Sequence, residues 1–250
     1  MAFGFFRKKK PTKAQASDPE PVLILDGIEV YKLLRKIDGG YRPTAAERRA
    51  LAERKFLDLR GAPITALPKS LGQLAKLQIL FLGNTRITAL PESLGQLAQL
   101  RELYLNRTQI TALPESLGQL ANLKYLYLDY TPITALPDWL GELPELGELD
   151  LRGLTLPRLP RSLALRGLPF VDRENYGYTG VNLHGVTLTE QDKAVFLQND
   201  RALIEALYEK EQLRLPECRV IFLGDGDSGK SYTIRRFQNG GRRETAAAPY

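Results

Sequence analysis

Eight residues near the end of this chain have the types and the spacing that phosphate chemistry needs. Gly224-Asp225-Gly226-Asp227-Ser228-Gly229-Lys230-Ser231 fits Gly-x-x-x-x-Gly-Lys-Ser, the Walker A pattern. Gly224, Gly226 and Gly229 permit the backbone angles and close approach that aim successive amides at phosphate oxygens. A helix starting beside Ser231 adds its positive end. Lys230 reaches the β- and γ-phosphates, the Ser231 hydroxyl is suited to hold Mg2+, and the Tyr232 amide falls near the α-phosphate. The candidate nucleotide-binding residues are therefore Gly224, Asp225, Gly226, Asp227, Ser228, Gly229, Lys230, Ser231 and Tyr232, with Ser231 as the metal ligand.

The flanks agree with that reading. Val220-Ile221-Phe222-Leu223 is a continuous apolar run, as expected of a strand buried on both faces of a parallel sheet. The stretch from Ser231 is helical in character and stops at Asn239-Gly240-Gly241. No second strand is at hand to pair with residues 219–224, so these 250 residues are expected to be a piece of a longer protein. Hydrolysis needs a positioned water and switch contacts. No catalytic residue is assigned, and the chain as given is expected to be inactive.

Other chemistries are excluded early. The single cysteine, Cys218, rules out an internal disulfide, and the single histidine, His184, leaves no Cys–His metal cluster. His184 reads as an ordinary hydrogen-bonded or exposed side chain. Hydrophobic content of 43% and charged content of 26% exclude the collagen-like and disordered classes. The apolar runs fall far short of the ~20 residues that span a bilayer, so no transmembrane segment is expected. A cytoplasmic, reduced setting follows. The net charge of +6 sits at the two ends, because residues 22–217 hold 24 basic and 24 acidic groups. Nucleic-acid binders concentrate positive charge on a folded face, so nucleic acid is not an expected partner.

The long middle of the chain is repetitive. Leu67-Pro68, Leu90-Pro91, Leu113-Pro114, Leu136-Pro137 and Leu159-Pro160 recur every 23 residues. Within one period, Leu100, Leu103, Leu105, Thr108, Ile110 and Leu113 are followed by Leu123, Leu126, Leu128, Thr131, Ile133 and Leu136. In period and spacing this resembles the leucine-rich repeat family. Three leucines of each copy point inward from a short strand, and Ser-Leu-Gly-x-Leu supplies two more from a short helical segment. One coil cannot bury them alone, so neighbours stack into a curved solenoid, gaining roughly 1.5–3 kcal/mol for each buried leucine. The family usually has Asn where Thr85, Thr108 and Thr131 stand; a hydroxyl bonds backbone there more weakly.

Alternate strand residues line the concave face. Phe81, Tyr104 and Tyr127 fall in one column, with Ile79 and Tyr125 beside them and Asp58, Asp129 and Asp150 as an expected polar rim. Aromatics there suit a hot spot for a protein partner, or another part of the same polypeptide. The plainer alternative is the high strand propensity of tyrosine.

Residues 1–21 read as a disordered basic tail, with weak membrane-surface contact as the alternative. Residues 22–54 form a helical cap that includes a capping box at Thr44-x-x-Glu47. The repeats span 55–165, and 166–216 hold an irregular closing segment and a linker of two helices. The first of these starts at an N-cap on Thr189. The second follows Asn199, with Leu203, Ile204, Leu207 and Tyr208 on one face. The last unit is 217–250.

Repeats, then linker, then phosphate loop is the order of the Roco family, which this chain resembles over roughly residues 45–250. The loop is also similar to that of Rho-like small GTPases. The resemblance implies an α/β fold: a leucine-rich solenoid with helical caps, followed by the truncated start of a Ras-like GTPase domain. It implies GTP or GDP with Mg2+ as cofactors of the full-length protein, and a homodimer through regions not present here. Two alternatives stay open: an interaction scaffold with a vestigial loop, or an ATP-binding signalling NTPase. Asp227 departs from the Gly or Ala usual in Ras-like loops. Its carboxylate repels phosphate, so weaker binding or faster exchange is expected. D-x-x-G and N-K-x-D motifs further along a longer chain would decide for a GTPase.

Overall fold

A computed structural model describes residues 23–175, 177–188 and 190–213. The tail 1–21, the expected N-cap Thr189 and the unit at 217–250 lie outside the described residues.

Five three-residue strands recur at the 23-residue period: β1 (Phe56–Asp58), β2 (Ile79–Phe81), β3 (Glu102–Tyr104), β4 (Tyr125–Tyr127) and β5 (Glu148–Asp150). They pair in parallel and in register, placing Leu57, Leu80, Leu103, Leu126 and Leu149 in one row. All five are fully buried. The opposite wall is a row of 3-10 turns at Lys69–Gln73, Glu92–Gln96, Glu115–Gln119 and Asp138–Gly141, each entered from a proline. A proline has no N–H to leave unpaired at such a start. The turns stack so tightly that a Cβ on Gly95 would lie 2.3 Å from the Ser116 carbonyl oxygen, which is why Ser-Leu-Gly recurs.

The chain leaves each strand through a left-handed residue at the same period: Gly61, Asn84, Arg107, Tyr130 and Gly153 all have φ between 55° and 70°. Next to these, the hydroxyls of Thr85, Thr108 and Thr131 each donate to a carbonyl three residues back, at 2.7 Å. The threonines are buried, so their substitution for Asn keeps the turn satisfied by a local bond.

Both ends of the solenoid are covered. Helices α1 (Gly27–Asp38) and α2 (Ala45–Ala52) each begin in a capping box, on Asp26 and on Thr44. Val30, Leu33 and Leu34 of α1 are buried, and the Asp38 carboxylate accepts from the Lys69 and Ser70 amides of the first 3-10 turn.

At the other end the sheet runs on beyond residue 165, where an irregular segment was expected. After a short α3 (Arg161–Ala164) come β6 (Phe170–Val171) and β7 (Gly180–Asn182), and the strand order is β1-β2-β3-β4-β5-β7-β6. Val181, Leu183 and Val186 are buried as the leucines of one more coil. Helices α4 (Glu190–Leu197) and α5 (Arg201–Leu213) close this end. Asn199 bonds both backbone groups of Phe170 with its amide, at 2.6 and 3.0 Å, and so takes the place of a further strand. Ile204 and Tyr208 of α5 are buried as expected, while Leu203 is 41% exposed instead of facing the core. Among the described residues no helix is long and apolar enough to cross a membrane.

Candidate functional site

The strand register builds the concave face directly. Phe81, Tyr104 and Tyr127 are cross-strand neighbours. Their rings stack with centroids 4.5 Å apart at interplanar angles of 28° and 9°. That spacing is close to the distance between adjacent strands, so the sheet itself sets the stack. The Arg60 guanidinium lies 4.7 Å from the Phe81 ring centre and continues the column at its β1 end. Asp58 holds it with two carboxylate oxygens, the shortest contact being 2.6 Å, and these bonds keep the Asp58 carboxyl below its ordinary range.

Ile79, Phe81 and Tyr104 are half-buried and Tyr125 is 38% exposed, so this part of the expected hot spot is open to a partner. Beside it stands Phe56, 54% exposed. Tyr104 donates its hydroxyl to Glu102 at 2.8 Å, and burial together with that carboxylate pushes the phenol well up. Tyr127 differs from expectation: it is buried and completes the stack from within.

The polar rim also needs correction. Asp129 and Asp150 are fully buried, not exposed at the margin. The reason is residues 172–175, after β6, which lie across the β5 end of the concave face. Arg152, just after β5, bonds Asp150 at 2.7 Å and the Glu174 carbonyl, with Asp129 at 3.9 Å. Asn182 fixes the covering chain through both backbone groups of Arg173, at 3.1 and 2.8 Å. Asp129, Glu148, Asp150 and Arg152 form a closed cluster with Tyr178, and the Asp129 Oδ1 atom has no hydrogen-bond partner. Burial and the nearby Asp150 charge push the Asp129 carboxyl up to about 6, against the pull of Arg152. Burial raises Glu148 as well. Only Asp58 remains at the open margin.

Sequence reasoning missed this cover because the spacing between repeats jumps there. A usable signal was Val181-x-Leu183-x-x-Val186, which repeats the inward spacing of Leu149, Leu151 and Leu154. His184 donates from Nδ1 to the Asp172 carboxylate at 2.7 Å, an ordinary partnered side chain. Among the described residues no group of three His, Cys, Asp or Glu is arranged to hold a metal ion. The nine residues Gly224–Tyr232 lie outside the described residues.

Comparison with known proteins bears on the solenoid. Residues 43–123 match the family described as leucine-rich repeat region, and residues 99–154 match the leucine rich repeat family. A solved leucine-rich-repeat protein of Leptospira interrogans is 27% identical, over 64% of this chain and 50% of its own, with a TM-score of 0.45. The chain thus spans about half the length of that protein. No curated protein matches the chain. Together the two leucine-rich-repeat family matches cover residues 43–154, the span of the regular 23-residue period.

Proposed function

We propose that the repeats bind a protein partner through the open, β1-side part of the concave face. The observation that carries this reading is exposed aromatic surface the core has no use for: Phe56 and Tyr125 stand out of the sheet beside Ile79, Phe81 and Tyr104. Aromatic anchors that lose their water on binding dominate interface energies, and each costs about 2 kcal/mol or more on truncation. A photoreactive side chain at Tyr125 tests this in cell lysate. The expected result is one or a few crosslinked proteins, lost when Phe56→Ser and Tyr104→Ser are added. Recovery unchanged by those substitutions, with the melting temperature preserved, refutes the reading.

The complete Walker A pattern between an apolar run and a helix-like stretch motivates a second activity. Gly224–Tyr232 would cradle GTP or GDP phosphates, with Ser231 on Mg2+, as one part of a longer Roco-like switch protein. Titration of fluorescent GTP and ATP analogues into the longest available chain, with Mg2+ and a Lys230→Ala control, decides among GTP binding, ATP binding and a vestigial loop. Asp227→Gly is expected to slow nucleotide release.

A further inference from the structure

The charge left open on the concave face is positive. Residues 55–130 hold eight basic and five acidic groups, although 22–217 is neutral as a whole. Asp129 is buried, and Glu92 and Glu115 open the 3-10 turns of the opposite wall. That leaves Asp58 and Glu102 on the open part of the face, and both are already in use. Asp58 is held by the Nε and Nη2 atoms of Arg60, and Glu102 accepts from the Tyr104 hydroxyl.

The bases stand at the two margins. Lys55, Arg101 and Lys124 directly precede β1, β3 and β4, and all three are exposed. Arg107, also exposed, lies beyond the other end of β3, its guanidinium 5.2 Å from the Tyr130 ring centre. Lys124 has Glu145 at 3.5 Å, but Lys55, Arg101 and Arg107 have no ion-pair partner among the described residues.

Between the margins stand Phe56, Ile79 and Tyr125. Six residues of extended chain, up to ~20 Å at ~3.3 Å each, separate Arg101 from Arg107. That is more than the Debye length of ~8 Å at physiological salt, so each margin attracts charge on its own. A ligand that meets both needs acids at two separated points and apolar side chains between them. Nucleic acid fits less well, because its charge is uniform along the backbone and would pass over Asp58 and Glu102.

We propose that the partner presents an acidic protein segment of about six extended residues. Carboxylates near its ends meet Arg101 with Lys55 on one margin and Arg107 on the other, and the apolar or aromatic side chains between them rest on Phe56, Ile79 and Tyr125. This names the partner chemistry of the recognition surface proposed above, and rests on that reading.

The probe is a displayed library of random twelve-residue peptides, selected on the full chain. Enriched peptides should carry a net charge of about −3 or lower, with aromatic or branched apolar residues between the acids. The best of them, labelled with fluorescein, should bind an Arg101→Glu, Arg107→Glu chain roughly tenfold or more weakly, and should lose affinity as NaCl rises. Lys32→Glu with Arg161→Glu makes the same change of net charge on α1 and α3, and should alter binding by less than roughly threefold. All four side chains are exposed, so both variants should keep the parent melting temperature. Should the first melt lower, Arg101→Gln with Arg107→Gln carries the comparison.

Enrichment of neutral or basic peptides, equal weakening by both pairs, affinity indifferent to NaCl, or no enrichment at all overturns the acidic segment. Tighter binding of a single-stranded DNA of twelve nucleotides than of the best peptide overturns it in favour of nucleic acid. If Phe56→Ser with Tyr104→Ser abolishes partner recovery from lysate while Arg101→Glu with Arg107→Glu leaves it intact, the acidic segment fails and the recognition surface stands. If recovery responds to neither pair, both fail.

Discussion

The buried carboxylate of Asp129 makes a quantitative prediction. One of its oxygens has no hydrogen-bond partner, the other is 3.9 Å from Arg152, and Arg152 is already engaged by Asp150. Burial and Asp150 together push its carboxyl from 3.8 up to about 6. The folded chain therefore holds this proton between those values while the unfolded chain has lost it. Stability falls as pH rises through that window and stays lower above it. A shift of about two units corresponds to ~3 kcal/mol, and relaxation of the protein around the buried charge reduces that to about 1–2 kcal/mol. Asp129→Asn removes the ionisation, keeps the shape, and offers an N–H to Asp150.

The variant should therefore match the wild type near pH 4 and exceed it at pH 7.5, by ~2–8 °C in melting temperature for a body of this size. Scanning calorimetry of both chains from pH 4 to 8 measures this. Taking the difference cancels titration of Glu148 and of surface groups common to both. A difference that does not grow between pH 4.5 and 7.5, or a variant less stable at pH 7.5, refutes the reasoning. Arg152 and the Arg107 charge would then outweigh burial at this site.

Gly95→Ala should be strongly destabilising, because the new carbon meets a backbone carbonyl at 2.3 Å. Gly118→Ala meets Trp139 carbons at 3.1 Å and should be tolerated much better, so urea midpoints should separate the two. The two Asp-x-Arg pairs should behave oppositely. Arg60→Ala leaves the melting temperature nearly unchanged, whereas Arg152→Ala strands Asp150 and Asp129 and costs about 3–5 kcal/mol. Asn199→Ala removes both bonds to Phe170. Hydrogen exchange of the Phe170 amide should accelerate well before that of Leu126.

The repeats were legible because one physical constraint, burial of leucine by stacking, is written 23 residues apart in the same letters. Leu80, Leu103 and Leu126 needed no tertiary information to be placed inside, and Thr44 with Glu47 announced its helix locally. The stacking of Phe81, Tyr104 and Tyr127 was also implicit, since equal spacing plus parallel register puts them on one line. Burial of Asp129 and Asp150 was not implicit. It depends on where residues 172–175 lie, and no periodicity governs a segment held by Asn182 and Arg152 through backbone groups that look alike in every sequence.

The two Asp-x-Arg pairs show what that difference does. Asp58–Arg60 and Asp150–Arg152 occupy equivalent positions on β1 and β5, with nearly identical contacts of 2.6 and 2.7 Å. Their side chains are 49% and 59% exposed in the first pair, 0% and 6% in the second. Local sequence fixes the contact, and the rest of the fold fixes its energetic meaning. At β1 the pair stays hydrated, so a ligand can displace or borrow Arg60 at little cost. At β5 the same pair has lost its water, so removing one partner leaves an uncompensated buried charge. The concave face is thus divided by its cover into a sealed end that holds structure and an open end, from Phe56 to Tyr125, where binding is cheap to arrange.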